Sequence, residues 1–156
     1  MANAKEASRR WMYGGKHPNR LARFLNRGTA AVAAAGIGPK RLARLEVRGR
    51  RSGRLLSFPV VVADYEGQRY LVAMLGREAN WVRNVRAAGG KAVLQHGHRE
   101  DVVLEEVDPG ARAPILRRYL EVAPGGRAHF PIDQRASLDS FEQIAEQYPV
   151  FQIHAG

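Results

Sequence analysis

The chain has 156 residues, 45% of them hydrophobic and 26% charged, enough for one domain with its own core. It contains no cysteine, which excludes thiol catalysis, cysteine-ligated zinc, iron–sulfur clusters and disulfides. The formal net charge of +10 fits a nucleic-acid backbone, an anionic membrane surface or a small polyanion as partner, or an arginine-rich surface with no bearing on function.

Residues 1–19 read as a polar arm carrying Trp11, Met12 and Tyr13. Asn19 is a helix cap, and Leu21, Phe24, Leu25 and Val32 then recur at helical spacing until Gly36 and Gly38-Pro39 end the pattern. Arginines fringe this helix, so it packs on its own sheet or lies on a lipid surface. Residues 1–40 are read as an arm and helix of the same domain as residues 41–156. No apolar run reaches the ~20 residues of a membrane span, and no signal-peptide core follows the N-terminus. A cytoplasmic location is expected, with peripheral contact at the inner membrane surface if that helix binds lipid.

From Leu42 the period changes to two, with Leu45 and Val47 alternating with Glu46 and Arg48. A turn over residues 49–54 follows, then a long apolar strand over residues 55–63 whose Pro59 predicts a bulge or a sheet edge. Glu66-Gly67 turns the chain into a strand over residues 69–75. A helix runs from Asn80 to about Ala88, closed by Gly89-Gly90. Residues 91–96 and 98–107 form a hairpin about Gly97, and Asp108-Pro109 opens a helix over residues 111–120. Residues 122–134 read as an irregular loop. Ser137 caps a helix over residues 138–147, and residues 148–154 close the chain as a strand. About six antiparallel strands with three or four helices make an α+β fold, whose sheet avoids open edges by curling into a barrel.

Several chemistries lose ground on spacing. His96, His98 and Glu100 share a period-two face, but beside a hairpin turn they read as solvent-facing polar residues, so no metal is expected. Ser52 and Ser57 lack a nucleophile elbow, and the glycine-arginine turn leads into a strand where a Walker motif leads into a helix. No recognition helix or aromatic-studded strand suits nucleic acid. What remains is the turn Gly49-Arg50-Arg51-Ser52-Gly53-Arg54, where backbone amides and arginine forks can hold an anion. Trp81 and Asn84, three apart on the next helix, either border a flat ligand or, for Trp81, fill core.

That turn, then Ser57-Phe58-Pro59, the strand from Tyr70 to Leu75, and Asn80-Trp81-Val82-Arg83-Asn84-Val85-Arg86 in this order resemble the deazaflavin-dependent nitroreductase family. The resemblance is firm over residues 42–107 and looser beyond. It implies a split β-barrel like that of the FMN-binding pyridoxamine-phosphate oxidases, with coenzyme F-420, an 8-hydroxy-5-deazaflavin, as cofactor and FMN as second choice. The F-420 tail carries a phosphate and several glutamates, which suits the arginine excess.

By this resemblance Arg50, Arg51, Ser52, Gly53 and Arg54 form the phosphate turn, with Ser57, Phe58 and Pro59 in the strand after it. Ala73, Met74, Leu75 and Gly76 run beside the ring, Arg77 stands for a lysine of the family, and Trp81, Asn84 and Val85 support the cofactor from the helix. Leu56 departs from the pattern, since relatives often place a basic residue there. Tyr13, Tyr119 and His129 are the substrate-side candidates, as lid or proton donor. The function implied is hydride transfer from reduced F-420 to a small-molecule acceptor of quinone, enone or nitro type. A non-catalytic F-420 or flavin carrier and a basic membrane-surface protein are the alternatives, and monomer and homodimer both stay open.

Overall fold

Ala43, Leu45 and Val47 are buried and alternate with Arg44, Glu46 and Arg48, so β1 (Leu42–Arg48) is a strand with one dry face. The computed structural model describes residues 41–156; the arm and helix expected over residues 1–40, with Tyr13 and the proposed lipid contact, lie outside the described residues. The other strands are β2 (Leu55–Val61), β3 (Ala63–Tyr65), β4 (Gln68–Val72), β5 (Lys91–His96), β6 (His98–Glu106) and β7 (Val150–Ala155). Among the described residues they form one antiparallel sheet in the order β2-β1-β5-β6-β7-β4-β3.

The apolar run from Leu55 is two strands, where the sequence suggests one. It breaks at Val62, whose amide donates to the Arg41 carbonyl at 2.8 Å. On one side Val61 lies opposite Leu42, and on the other Ala63 lies opposite Tyr70. One residue therefore separates the two ends of the sheet order, and the sheet must curl to bring them together. This is the split barrel, and Pro59 sits on a terminal strand, where a missing ladder donor is tolerated.

Helix α1 (Asn80–Ala87) plugs the barrel, with Val82 and Val85 packed among Leu45, Val47, Leu71, Phe151 and Ile153. The alternate residues Tyr70, Val72 and Val150 face outward. There they meet Ile115, Leu116, Tyr119 and Leu120 of α2 (Ala113–Val122) and Phe141 of α3 (Leu138–Ile144). A short 3-10 turn, Pro109–Ala111, precedes α2, so Asp108-Pro109 starts that turn and the helix begins two residues later than its sequence pattern suggests. Ser137 caps α3, accepting from the Ser140 amide at 3.3 Å. A 3-10 segment, Pro124–His129, orders the stretch that reads as loop in the sequence. Among the described residues no helix is long and apolar enough to cross a membrane.

Many of the arginines are paired with carboxylates within the fold. Glu46 sits between Arg44 and Arg99, each 2.8–2.9 Å away, and Arg86 and Arg112 both hold Glu106. Arg69 grips Glu100 with both terminal guanidinium nitrogens, Nη2 at 2.7 Å and Nη1 at 3.0 Å. Hydrogen bonds from Arg99, Arg69 and Arg86 respectively hold the carboxyls of Glu46, Glu100 and Glu106 below their ordinary value of 4.5, against burial that pushes the other way. A depressed carboxyl contributes stability that is present above its unfolded pKa and is lost as the pH falls through the folded one. The melting temperature should hold steady from about pH 7 to pH 5 and fall on further acidification, and thermal melts of Glu106→Gln should fall less steeply there.

Candidate active site

The turn between β1 and β2 is closed by its own backbone. The Gly49 amide donates to the Arg54 carbonyl at 2.7 Å and the Gly53 amide to the Gly49 carbonyl at 2.9 Å. Gly53 has φ +70°, the left-handed region that side chains disfavour, and a Cβ on Gly49 would lie 2.8 Å from Ser52 Oγ. Ser52 Oγ accepts from the Arg54 amide at 3.2 Å, and Arg48 Nη1 donates to the Gly53 carbonyl at 2.5 Å. Asn84 of α1, only 4% exposed, accepts from the Arg50 amide at 3.1 Å and from Arg50 Nη1 at 2.8 Å. The turn is thus fastened to the helix.

Residues 50–54 are exposed. Among the described residues, the guanidiniums of Arg51 and Arg54 and the amides of Arg51 and Ser52 make no hydrogen bond or ion pair. Arg69, Arg86 and Arg99 instead each hold a carboxylate. Two uncommitted planar cations and two uncommitted amides on one rigid turn, with no acidic residue in it, are a donor set suited to a phosphate. The residues present therefore fit the phosphate end of F-420.

The ring-side segment leaves the sheet after Val72. The Ala73 amide donates to the Pro149 carbonyl at 2.9 Å, Met74 to Val72 at 3.0 Å, Gly76 to Ala73 at 2.9 Å and Arg77 to Gln147 at 3.1 Å. Of the backbone donors expected to face a ring, the Leu75 amide is left uncommitted among the described residues. Arg77 itself is exposed. It opens onto a cleft of about 400 Å³ shared with Arg83, Arg86, Glu106 and Arg112. Arg83 and Arg86 belong to the α1 motif quoted from the sequence, whereas Glu106 and Arg112 come from β6 and the approach to α2, and no short motif joins them to it.

Trp81 is half-buried, its ring centroid 5.9 Å from Phe58 and 5.6 Å from Phe151, so much of it fills barrel core. Val85 is 1% exposed among the same residues and does not reach the surface. Ser57 is exposed, and Phe58 and Pro59 are half-buried along β2. On the substrate side, Tyr119 is 4% exposed and donates to Met74 Sδ at 3.3 Å. This places it in the core behind Met74. Phe130 lies between Tyr119, at 6.1 Å, and Tyr148, stacked at 4.2 Å. The Tyr148 hydroxyl donates to the His129 carbonyl at 2.9 Å, and burial pushes that phenol above its usual range. His129, half-exposed at the end of the 3-10 segment, is the more accessible of the two candidates.

The histidine pair near Gly97 has a different arrangement from the one its spacing suggests. His96 and His98 sit on two strands as cross-strand partners, with His96 Nδ1 2.6 Å from the Leu42 carbonyl and Glu100 committed to Arg69. Among the described residues no cluster of three His, Cys, Asp or Glu side chains could hold a metal ion.

A family model described as F420H(2)-dependent quinone reductase matches residues 22–129 of the chain. Comparison with curated proteins finds no match. Among solved structures, one described as a domain-swapped dimer is 18% identical, covers 86% of this chain and 94% of its own, and has a TM-score of 0.54. An F420-H2 dependent reductase is 16% identical over 74% of this chain and 95% of its own, with a TM-score of 0.51. A protein of unknown function from Agrobacterium tumefaciens is 11% identical over 74% of this chain and 48% of its own, at 0.55. At such identities these likenesses concern the fold.

Proposed function

The chain belongs to the F420H(2)-dependent quinone reductase family and is an oxidoreductase that uses coenzyme F-420, and on this premise we propose that its acceptor is a quinone. The observation that carries the reading is the turn of residues 49–54, whose uncommitted Arg51 and Arg54 forks and amides are suited to the phosphate of the cofactor. When bound, the reduced deazaflavin supplies the hydride.

The chain's own part is to bind, orient and protonate. Arg51 and Arg54 take the phosphate, with Ser52 and Gly53 shaping the turn that carries them. Ala73, Met74 and Leu75 border the ring, and the buried Tyr119 holds Met74 in place through its sulfur. Keeping the ring against a firm wall preserves the close approach that hydride transfer requires. His129 protonates the reduced acceptor from the rim of the Pro124–His129 segment, the general-acid role that histidine most often fills.

The test is oxidation of reduced F-420 by the purified chain with a quinone, an enone and a nitroaromatic compared side by side. Turnover is expected to be fastest with the quinone, and His129→Ala should lower kcat more than the affinity for F-420. Preference for the nitroaromatic would overturn the quinone assignment. Binding without turnover on any acceptor would favour a carrier, and no binding at micromolar F-420 would remove the phosphate reading of the turn.

A further inference from the structure

Buried polar side chains among the described residues are few: Glu46, Asn84 and Arg112. Glu46 and Arg112 belong to ion-pair networks that join strands and helices. Asn84 has no charged group to neutralise. It sits in the middle of α1 between Val82 and Val85, both buried inside the barrel. A side-chain amide in such surroundings costs stability unless its hydrogen bonds are made. Its oxygen takes two N–H groups from one residue 34 positions away, the amide and the guanidinium of Arg50.

These two hydrogen bonds have a mechanical consequence. Arg50 is the first of the exposed residues 50–54, and pinning both its backbone and its side chain removes freedom from the turn that follows. A turn already held in its binding conformation loses less entropy when a ligand arrives. We propose that Asn84 is a positioning residue for cofactor binding. It acts through Arg50, holding the turn so that Arg51, Arg54 and the amides of Arg51 and Ser52 stay presented to the phosphate. The inference rests on the phosphate reading of the turn and assigns Asn84 and Arg50 to the grip's support, away from the ligand itself.

The experiment is fluorescence titration of the full chain with F-420 for wild type, Asn84→Ala, Asn84→Asp, Arg50→Ala and the Asn84→Ala, Arg50→Ala double variant. Melting curves are taken on each. Asn84→Ala should bind about tenfold more weakly, and Arg50→Ala about threefold, because its backbone bond survives. The double variant should bind no more weakly than Asn84→Ala alone, the non-additivity of residues acting in series. Asn84→Asp should regain most of the loss, since a carboxylate oxygen accepts from the same two N–H groups.

Three results would overturn the proposal: Asn84→Asp binding more weakly than Asn84→Ala, which marks an amide donor given to the ligand; additive losses in the double variant; or wild-type affinity in Asn84→Ala. If Asn84→Ala does not fold, Asn84→Asp and Arg50→Ala decide alone. Near-wild-type affinity in the first with a loss in the second supports the proposal, and the reverse order overturns it. A wild-type chain that fails to bind F-420 removes the phosphate reading itself, and this support role with it.

Discussion

Replacing Arg51 and Arg54 together with alanine is expected to weaken F-420 binding about ten- to hundredfold, the scale of one or two charge-assisted hydrogen bonds. Both side chains are exposed and uncommitted among the described residues, so their removal leaves no internal partner stranded. The melting temperature should accordingly stay within about 2 °C of wild type, as for surface substitutions away from structural features. Titration at low and high salt separates charge from shape. Wild-type affinity should fall as salt screens the exposed guanidiniums, and the variant should show a shallower salt dependence. Lysine at both positions should recover only part of the loss, because an ammonium keeps the charge but not the two-pronged fork. Unchanged affinity in the alanine variant would place the phosphate elsewhere on the protein.

Arg112→Ala should produce the largest loss of stability among single substitutions in the charged networks. Its side chain is 4% exposed and makes three bonds: Nε to the Val107 carbonyl at 2.8 Å, Nη1 to the Ala145 carbonyl at 3.0 Å, and Nη2 to Glu106 at 3.0 Å. These tie the end of β6, the start of α2 and the 3-10 segment Ala145–Gln147 that leads into β7. Burial pulls the Arg112 guanidinium below its usual range, and the charge of Glu106 opposes that pull.

Truncation would strand two carbonyls and deprive Glu106 of one of its two arginines, at a cost of about 2–4 kcal/mol. At about 2–4 °C per kcal/mol for a chain of this size, thermal melts should show a drop of roughly 4–16 °C. Arg86 holds the same carboxylate from the exposed side, its own side chain 46% accessible, and Arg86→Ala should cost much less. Equal losses in the two variants would mean that the buried carbonyl contacts contribute little.

The two experiments probe different links between sequence and function. The turn arginines matter for what they leave unpaired, and Arg112 for what it pairs. Both kinds look alike in a sequence with 25 lysines and arginines against 15 acids. Only the contact partners tell a binding arginine from a structural one, which is why net charge alone admits nucleic acid, membrane and polyanion equally.

Local patterns carried a good part of the fold into the sequence. The period-two alternation of β1, the Gly97 hairpin between β5 and β6, the Ser137 cap of α3 and the glycines of the 49–54 turn all rest on dihedral preferences and spacings within a few residues. The break at Val62 had no such signal, because Val60, Val61, Val62 and Ala63 form one unbroken apolar run. There the partner strands decide, with Arg41 and Leu42 drawing one half and Tyr70 the other.

By itself the sequence determined most of the strands and helices, the basic glycine turn of residues 49–54 and, through the order of its motifs, the family. The tertiary structure alone decided that Asn84 reaches back to Arg50, that Arg112 reaches forward to Ala145, and that Tyr119 lies buried behind Met74. Backbone preference acts over a turn of chain, whereas a hydrogen bond acts between whatever the closed barrel brings within about 3 Å.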